Sequence, residues 1–213
     1  MKKLLIFLIA IVLIVGISIQ VITSMIHEEV VKEDLPQTVY QDNDTYEGAQ
    51  NALEDFFSVG DEDDYSNLEL FMNYMIYDSI KENINENYDP LSECDSDDCR
   101  YIFPHDQGRV EYAYVVLNDE DQLVLTISLT RDAYPSFKTA IHLIFDVEVS
   151  IPDTSFILTL DEALIADRTI SERTLDTIFN YLDKEAIEDS ITYGELDLDE
   201  YTFTVSLVTI SLF

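Results

Sequence analysis

The sequence predicts an α+β protein in which an N-terminal transmembrane helix is followed by a curved antiparallel sheet packed on amphipathic helices. Three observations predict this fold class. A long uncharged apolar run opens the chain, two segments then repeat apolar residues at helical spacing, and several later segments alternate apolar and polar residues. Helical faces recur every three to four residues and strand faces every two, so the periods distinguish the elements. The strands follow one another directly, which favours an antiparallel sheet.

The apolar run covers residues 4–26 and contains no charged residue. About 20 apolar residues in a helix cross a hydrocarbon core of roughly 30 Å. Two lysines precede the run and acidic residues follow it, so the N-terminus is expected in the cytoplasm and the remainder outside. A cleaved signal peptide is the alternative, but apolar residues continue beyond Ser18, its best cleavage position. We therefore expect residues 1–26 to be a cytoplasmic stub and a single-pass anchor in the cell membrane.

The remainder of the chain divides into a spacer and a domain. Residues 27–44 are polar and contain Pro36, which predicts a tether that lifts the domain off the membrane. An acidic extracytoplasmic α+β domain is expected over residues 45–213. The chain has 44 Asp and Glu against 11 Lys and Arg, a net charge of −33, which predicts repulsion from nucleic acid and from anionic headgroups. Its 13 Tyr and 11 Phe are sufficient for a packed core.

Two amphipathic helices are predicted first, in "TYEGAQNALEDFF" and "LELFMNYMIYDSIKENI". A long loop, "NENYDPLSECDSDDCRYIFPHDQG", follows and carries both cysteines of the chain, Cys94 and Cys99. In an oxidising compartment the two can pair and close a small loop, with a free thiol pair as the alternative. A zinc site would need two further soft ligands, and the three histidines are scattered.

Strands are predicted next. "RVEYAYVVL" and "QLVLTISLT" read as a hairpin, and "KTAIHLIFDVEVSI" and residues 156–163 supply two more strands. A helix is then expected over 169–186, because Thr169 to Glu172 form a capping box, and "YTFTVSLVTISLF" ends the chain as a strand. Each strand is expected to have one apolar face; in the first strand this face comprises Val110, Tyr112, Tyr114 and Val116.

Catalytic chemistry is not indicated. The chain has 5 Gly and no Gly-rich phosphate loop, no G-x-S-x-G and no H-E-x-x-H. The acidic turns "GDEDDY" and "CDSDDC" concentrate oxygen ligands suited to calcium, but neither has the EF-hand spacing, and a solvated turn is the simpler interpretation. We expect no enzyme, no cofactor and no metal site, and keep a secreted hydrolase only as a minor alternative.

The order of elements, together with "FILTLDEALIADRTISERTLDTIFNYL", resembles that of single-span bacterial envelope proteins with a tubular lipid-binding (TULIP-like) domain. The resemblance covers about residues 66–213 without the acidic cysteine loop. Family members have a Gly and a Pro in the connector between strand and helix, where this chain has Ala166-Asp167 and Ser171-Glu172. The resemblance implies a curled sheet that binds a lipid or similar ligand without catalysis, and it transfers no single functional residue.

We therefore expect a membrane-anchored, non-catalytic binding protein whose hydrophobic ligand lies against the inner strand faces. The predicted lining is Tyr112, Tyr114, Leu125, Ile127, Leu143, Phe145, Phe179 and Phe203. Burial of each methylene of an acyl chain would contribute about 0.8 kcal/mol. The alternative is an acidic interaction module of the envelope, recruited by a basic protein partner or by the cell wall.

Overall fold

The structure, a computed structural model, describes residues 28–59, 65–91, 97–105, 108–130, 138–150, 152–171, 173–175, 195–197 and 201–206. Five predictions lie wholly or largely outside these residues: the anchor, the acidic turn "GDEDDY", Cys94, the helix over 169–186 with its Phe179, and the last strand, of which only 201–206 are described. Within the described ranges no helix is long and apolar enough to span a bilayer.

Four α-helices and eight strands form the described part of the chain. A 3-10 turn at Lys32–Asp34 precedes helices α1 (Gln37–Gln41), α2 (Thr45–Val59), α3 (Ser66–Asn83) and α4 (Asp97–Arg100). The strands are β1 (Phe103–His105), β2 (Gly108–Leu117), β3 (Leu123–Thr130), β4 (Lys138–Ser150), β5 (Ser155–Ile165), β6 (Arg168–Thr169), β7 (Glu195–Asp197) and β8 (Thr202–Ser206). The α+β class, the two long helices and the order of the central strands are confirmed.

The eight strands form one sheet in which every pairing is antiparallel. The strand order is β1-β2-β3-β4-β5-β8-β7, and the short strand β6 pairs with the end of β5. The two outer strands of this path are not neighbours, so the sheet has two free ends. It is uncurled, and the expected curvature around a helix is therefore wrong for the part of the sheet described. Antiparallel neighbours with one covered face do not require closure to be stable.

One face of the sheet packs against helices α2 and α3. The ring of Phe156 in β5 lies 6.5 Å from Phe56 of α2 and 6.2 Å from Phe71 of α3, both in edge-to-face geometry. Aromatic pairs of this kind contribute about 0.5–1.5 kcal/mol beyond their area burial. We call this the helix-side face, and all three rings are buried in the main core.

Part of the opposite face is covered by the segment that precedes α2. Residues 28–41, here called the strap, bury Val30, Leu35, Val39 and Tyr40 in the same core. The interpretation of residues 27–44 as a tether is therefore wrong from residue 28 onwards. Apolar residues spaced along a mostly polar segment provide enough buried area to hold it on the sheet. We call the covered surface the strap-side face.

Polar contacts fasten the beginning of the strap to β4. The backbone N–H of Glu28 donates to the carbonyl of Lys138 at 3.0 Å, and the carboxylate of Glu29 lies 2.5 Å from the Lys138 ammonium. The Glu28 carboxylate lies 3.0 Å from Nε2 of His142, whose Nδ1 lies 3.0 Å from the hydroxyl of Thr126. The first residues of the strap therefore lie beside the first residues of β4.

The connector after β5 differs from the prediction. Instead of passing directly into a helix, β5 turns at Ala166 and Asp167 into the two-residue strand β6, so Thr169 is a strand residue and not a helix cap. Ala166 adopts a positive φ of 51° and donates its N–H to the carbonyl of Ala140 at 2.8 Å. Residues 173–175 are helical, and the carbonyl of Ser171 accepts from the N–H of Leu175 at 3.1 Å.

Cys99 lies in α4 and is buried. The described part of the chain contains no free cysteine. Because Cys94 lies outside it, the Cys94–Cys99 disulfide stays a prediction.

Candidate functional site

The strand register brings five of the predicted lining residues onto the helix-side face. Leu125 lies opposite Leu143 in the β3–β4 pairing, and Ile127 lies opposite Ile141. Phe145 lies opposite Leu160, and Phe203 opposite Leu158. Because directly opposed residues of antiparallel strands share a face, Leu125, Ile127, Leu143, Phe145 and Phe203 form one surface. Phe179 lies outside the described residues.

Tyr112 and Tyr114 lie on the other face, where they oppose Ser128 and Thr126. The prediction that these two tyrosines join the other lining residues is therefore wrong. The reason is a β-bulge between Val110 and Tyr112, at which Glu111 is the extra residue. One extra residue reverses the alternation of the strand, so Val110 faces the helices whereas Tyr112 and Tyr114 face the strap.

The helix-side surface is unevenly covered. Leu125, Ile127 and Leu143 are buried in the core, and so are Phe156 and Leu158 of β5, whereas several of their neighbours on β4, β5 and β8 are half-buried. We call the half-buried row the apolar strip. Its members belong to β4, β5 and β8 and all pack against the core on one side: Phe145, Val147, Val149, Leu160 and Phe203.

The reverse of the same strands is acidic. Asp146 and Glu148 alternate with the strip residues of β4 and are exposed, and Asp161, the extra residue of a second bulge, is exposed beside them. Nε2 of Gln122 donates to Asp146 at 2.7 Å and to Asp161 at 3.3 Å. One end of the sheet thus has an apolar surface on one side and a carboxylate surface on the other.

A cluster of tyrosines lies under the strap. Tyr40 of the strap packs edge-to-face on Tyr77 at 4.8 Å, and Tyr88 donates its hydroxyl to the carbonyl of Glu111 at 3.0 Å. Burial raises the pKa of Tyr40, Tyr88 and Tyr112 well above the ordinary value and raises the pKa of Tyr114 to about 12. These phenols stay protonated at neutral pH, so they do not supply an activated oxygen nucleophile.

The bulge residue Glu111 carries a buried carboxylate paired with Arg100. Oε1 of Glu111 accepts from Nε of Arg100 at 3.1 Å and from its second guanidinium nitrogen at 2.9 Å. This contact is the largest cause of the raised pKa of the Arg100 guanidinium. The pair neutralises the charge that the bulge places inside, and it links α4 to β2.

The described residues contain no group of three or more His, Cys, Asp or Glu side chains arranged to hold a metal ion. The ring nitrogens of His142 contact Thr126 and Glu28, as described above.

Sequence reasoning missed the strap and the Glu111 bulge. The strap had a weak signal, in that Val30, Leu35, Val39 and Tyr40 interrupt a polar segment. The bulge had none, because "RVEYAYVVL" alternates without a break.

In comparisons with known proteins, no family model, curated protein or solved structure matches the chain. The resemblance to TULIP-like envelope proteins stays a prediction, without the curled sheet that it implied.

Proposed function

We propose that the chain is a membrane-anchored, non-catalytic binding protein of the extracytoplasmic space, and that the apolar strip contacts a lipid or another hydrophobic ligand. The observation that carries the proposal is a set of half-buried apolar side chains that adjoins the buried core on one face of the sheet. The core residues Leu125 and Leu143 are covered by the fold itself, whereas Phe145, Leu160 and Phe203 keep part of their surface open. A half-open apolar surface of this kind is suited to an acyl chain.

Energetics favour a ligand of several methylenes. Each methylene that leaves water against the strip contributes about 0.8 kcal/mol, and this gain has to exceed the cost of lost translational freedom, so a longer acyl chain should bind more tightly than a shorter one. The acidic reverse face does not compete for such a ligand, because Asp146 and Glu148 point away from the strip.

The test uses residues 28–213, released from the purified full chain by a protease site placed before Glu28. Native mass spectrometry should show co-purified lipid, and the released domain should take up a fluorescent fatty acid. Phe145→Asp should weaken uptake about 10- to 100-fold, as expected for one large apolar contact. Ile144→Asp is the matched control, since Ile144 is the half-buried neighbour on the opposite face. A ligand-free mass with no uptake would contradict the lipid proposal.

A second candidate follows from the carboxylate surface. Asp146, Glu148 and Asp161 suit a basic partner, either a protein or a cationic component of the cell wall. If this is the binding surface, association with a basic polypeptide should disappear at high salt. The charge-neutral variant Asp146→Asn with Glu148→Gln should lose the association, whereas Phe145→Asp should retain it.

A further inference from the structure

The connection between anchor and domain is too short to act as a spacer. Glu28 is hydrogen-bonded to Lys138 at the beginning of β4, and the uncharged run ends at Ile26. Two residues of extended chain span at most about 7 Å. The beginning of β4 therefore lies within about 10 Å of the point where the apolar run ends.

The strand register places basic side chains at this end of the sheet. Arg109 lies opposite Thr130, and Thr130 lies opposite Lys138, so these residues form one row across β2, β3 and β4. Arg168 lies opposite Ile165, which pairs with Ile141 only three residues into β4. We call this the basic end. Two carboxylates at this end have partners, since Glu29 contacts Lys138 and Glu28 contacts His142, and a third, Asp167, is exposed in the turn before Arg168.

The other end of the same strands is acidic. Carboxylates lie in the β2–β3 turn, in the β4–β5 turn and at the strand ends beside these turns. Residues 118–121, 145–150 and 152–161 contain no Lys or Arg. These carboxylates belong to Asp119, Glu120, Asp121, Asp146, Glu148, Asp153 and Asp161. Leu123, which follows the β2–β3 turn, lies opposite Phe145, and Phe145 lies further along β4 than Lys138. At roughly 3.3 Å per residue, the β2–β3 turn is therefore about 25 Å from Lys138.

We infer that the strap seats the domain directly on the bilayer, with the basic end against the headgroup layer and the acidic end pointing away from it. This rests on the proposed anchor. Anionic headgroups attract Lys and Arg close to the surface, and the interaction decays within about 8 Å at physiological ionic strength. In this seating Arg109, Lys138 and Arg168 belong to the end of the sheet nearest the headgroups, whereas Glu120 lies about three such lengths from Lys138. A chain of net charge −33 can thus rest on an anionic membrane without strong repulsion.

The experiment measures the depth of two positions in the full chain, reconstituted in vesicles of phosphatidylcholine and phosphatidylglycerol. Single cysteines are introduced by Asp167→Cys at the basic end and by Glu120→Cys at the acidic end, and are labelled with a fluorophore without reductant. Both native positions are exposed turn residues. A quencher attached to the lipid headgroups should reduce the emission at position 167 several-fold more than at position 120. The unsubstituted chain is the labelling control.

A variant with the same anchor and the same domain tests the strap itself. A Gly/Ser spacer of about ten residues inserted before Glu28 spans roughly 18 Å as a flexible coil and should abolish most of the difference between the two positions. Equal quenching at both positions without the spacer would overturn the seating while leaving the anchor intact. Failure of the full chain to enter vesicles would instead overturn the anchor, and the seating with it, so the two failures are distinguishable.

Discussion

The side-chain amide of Asn73 binds both backbone polar groups of Val115. Its Nδ2 donates to the Val115 carbonyl at 2.7 Å, and its Oδ1 accepts from the Val115 N–H at 2.8 Å. One helical turn earlier, Oε2 of Glu69 accepts from the N–H of Leu117 at 2.8 Å. Strand β1 pairs only with the beginning of β2, so helix α3 supplies the hydrogen bonds that a neighbouring strand would otherwise make. An exposed strand edge invites pairing with other chains, and α3 prevents this along β2.

We expect Asn73→Ala to lower the free energy of unfolding by about 2–3 kcal/mol, because it leaves a buried N–H and a buried carbonyl without a partner. Glu82→Ala, on the exposed side of the same helix, is the control and should change stability by less than about 0.5 kcal/mol. Urea unfolding followed by circular dichroism measures both, since the chain has no Trp. Equal effects of the two substitutions would show that the edge contact contributes nothing.

The strap should be as important for stability as any core element. Leu35 is buried at 4% exposure, and Leu35→Ala should cost about 2–4 kcal/mol. Val31, at 46% exposure in the same segment, provides the matched control, for which the substitution to Ala should be nearly neutral. Thermal unfolding of the full chain in detergent compares the two. A neutral Leu35→Ala would restore the interpretation of this segment as a tether.

Gly48 should not tolerate a side chain, although it lies inside helix α2. A Cβ at this position would lie 2.5 Å from Cζ of the Tyr74 ring, and that ring is held by a 2.8 Å hydrogen bond from its hydroxyl to Asp42. The overlap should outweigh the gain in helix propensity of about 1 kcal/mol, so Gly48→Ala should destabilise by roughly 1–2 kcal/mol.

The double variant identifies the cause of this effect. In a Tyr74→Ala background the overlap is absent, and Gly48→Ala should become neutral or stabilising in the same unfolding measurement. Stabilisation by Gly48→Ala in the otherwise unchanged chain would contradict the predicted overlap.

Stability should fall in alkaline solution because of the buried tyrosines. Burial raises the pKa of Tyr114 to about 12, and burial together with the bond to Asp42 raises that of Tyr74 to about 12. An unfolded tyrosine has a pKa of about 10, so between about pH 10 and 12 the unfolded chain loses protons that the folded chain keeps. The contribution of these two tyrosines to the free energy of unfolding is therefore fully present below pH 10 and is lost as the pH rises towards 12.

Urea unfolding at a series of pH values tests the sign. Each such tyrosine should add a slope of up to about 1.4 kcal/mol per pH unit within the window. Tyr114→Phe should reduce the slope, because it removes one of the phenols whose pKa burial raises. A slope that is unchanged by Tyr114→Phe would contradict the assignment.

The parts of the fold that could be predicted are those with long, unbroken periodicity. Helix α3 and strands β3 and β4 follow directly from their apolar spacing. The candidate site could be predicted only in part, because the face of Tyr112 depends on the bulge at Glu111. A bulge is stabilised by tertiary contacts, here the pairing of Glu111 with Arg100 from another element. The strap was missed for a related reason, since its few apolar residues gain burial only from strands that lie far along the chain.

The contact between Glu28 and His142 joins residues 114 positions apart in the chain. During synthesis the strap therefore leaves the ribosome long before β4 exists, and at about 5–20 residues per second the delay is on the order of ten seconds. For that interval the contacts of Glu28 and Glu29 with β4 cannot form. The strap, which is made first, can therefore complete its docking only after β4 has been made, and segments with this history are natural clients for chaperones.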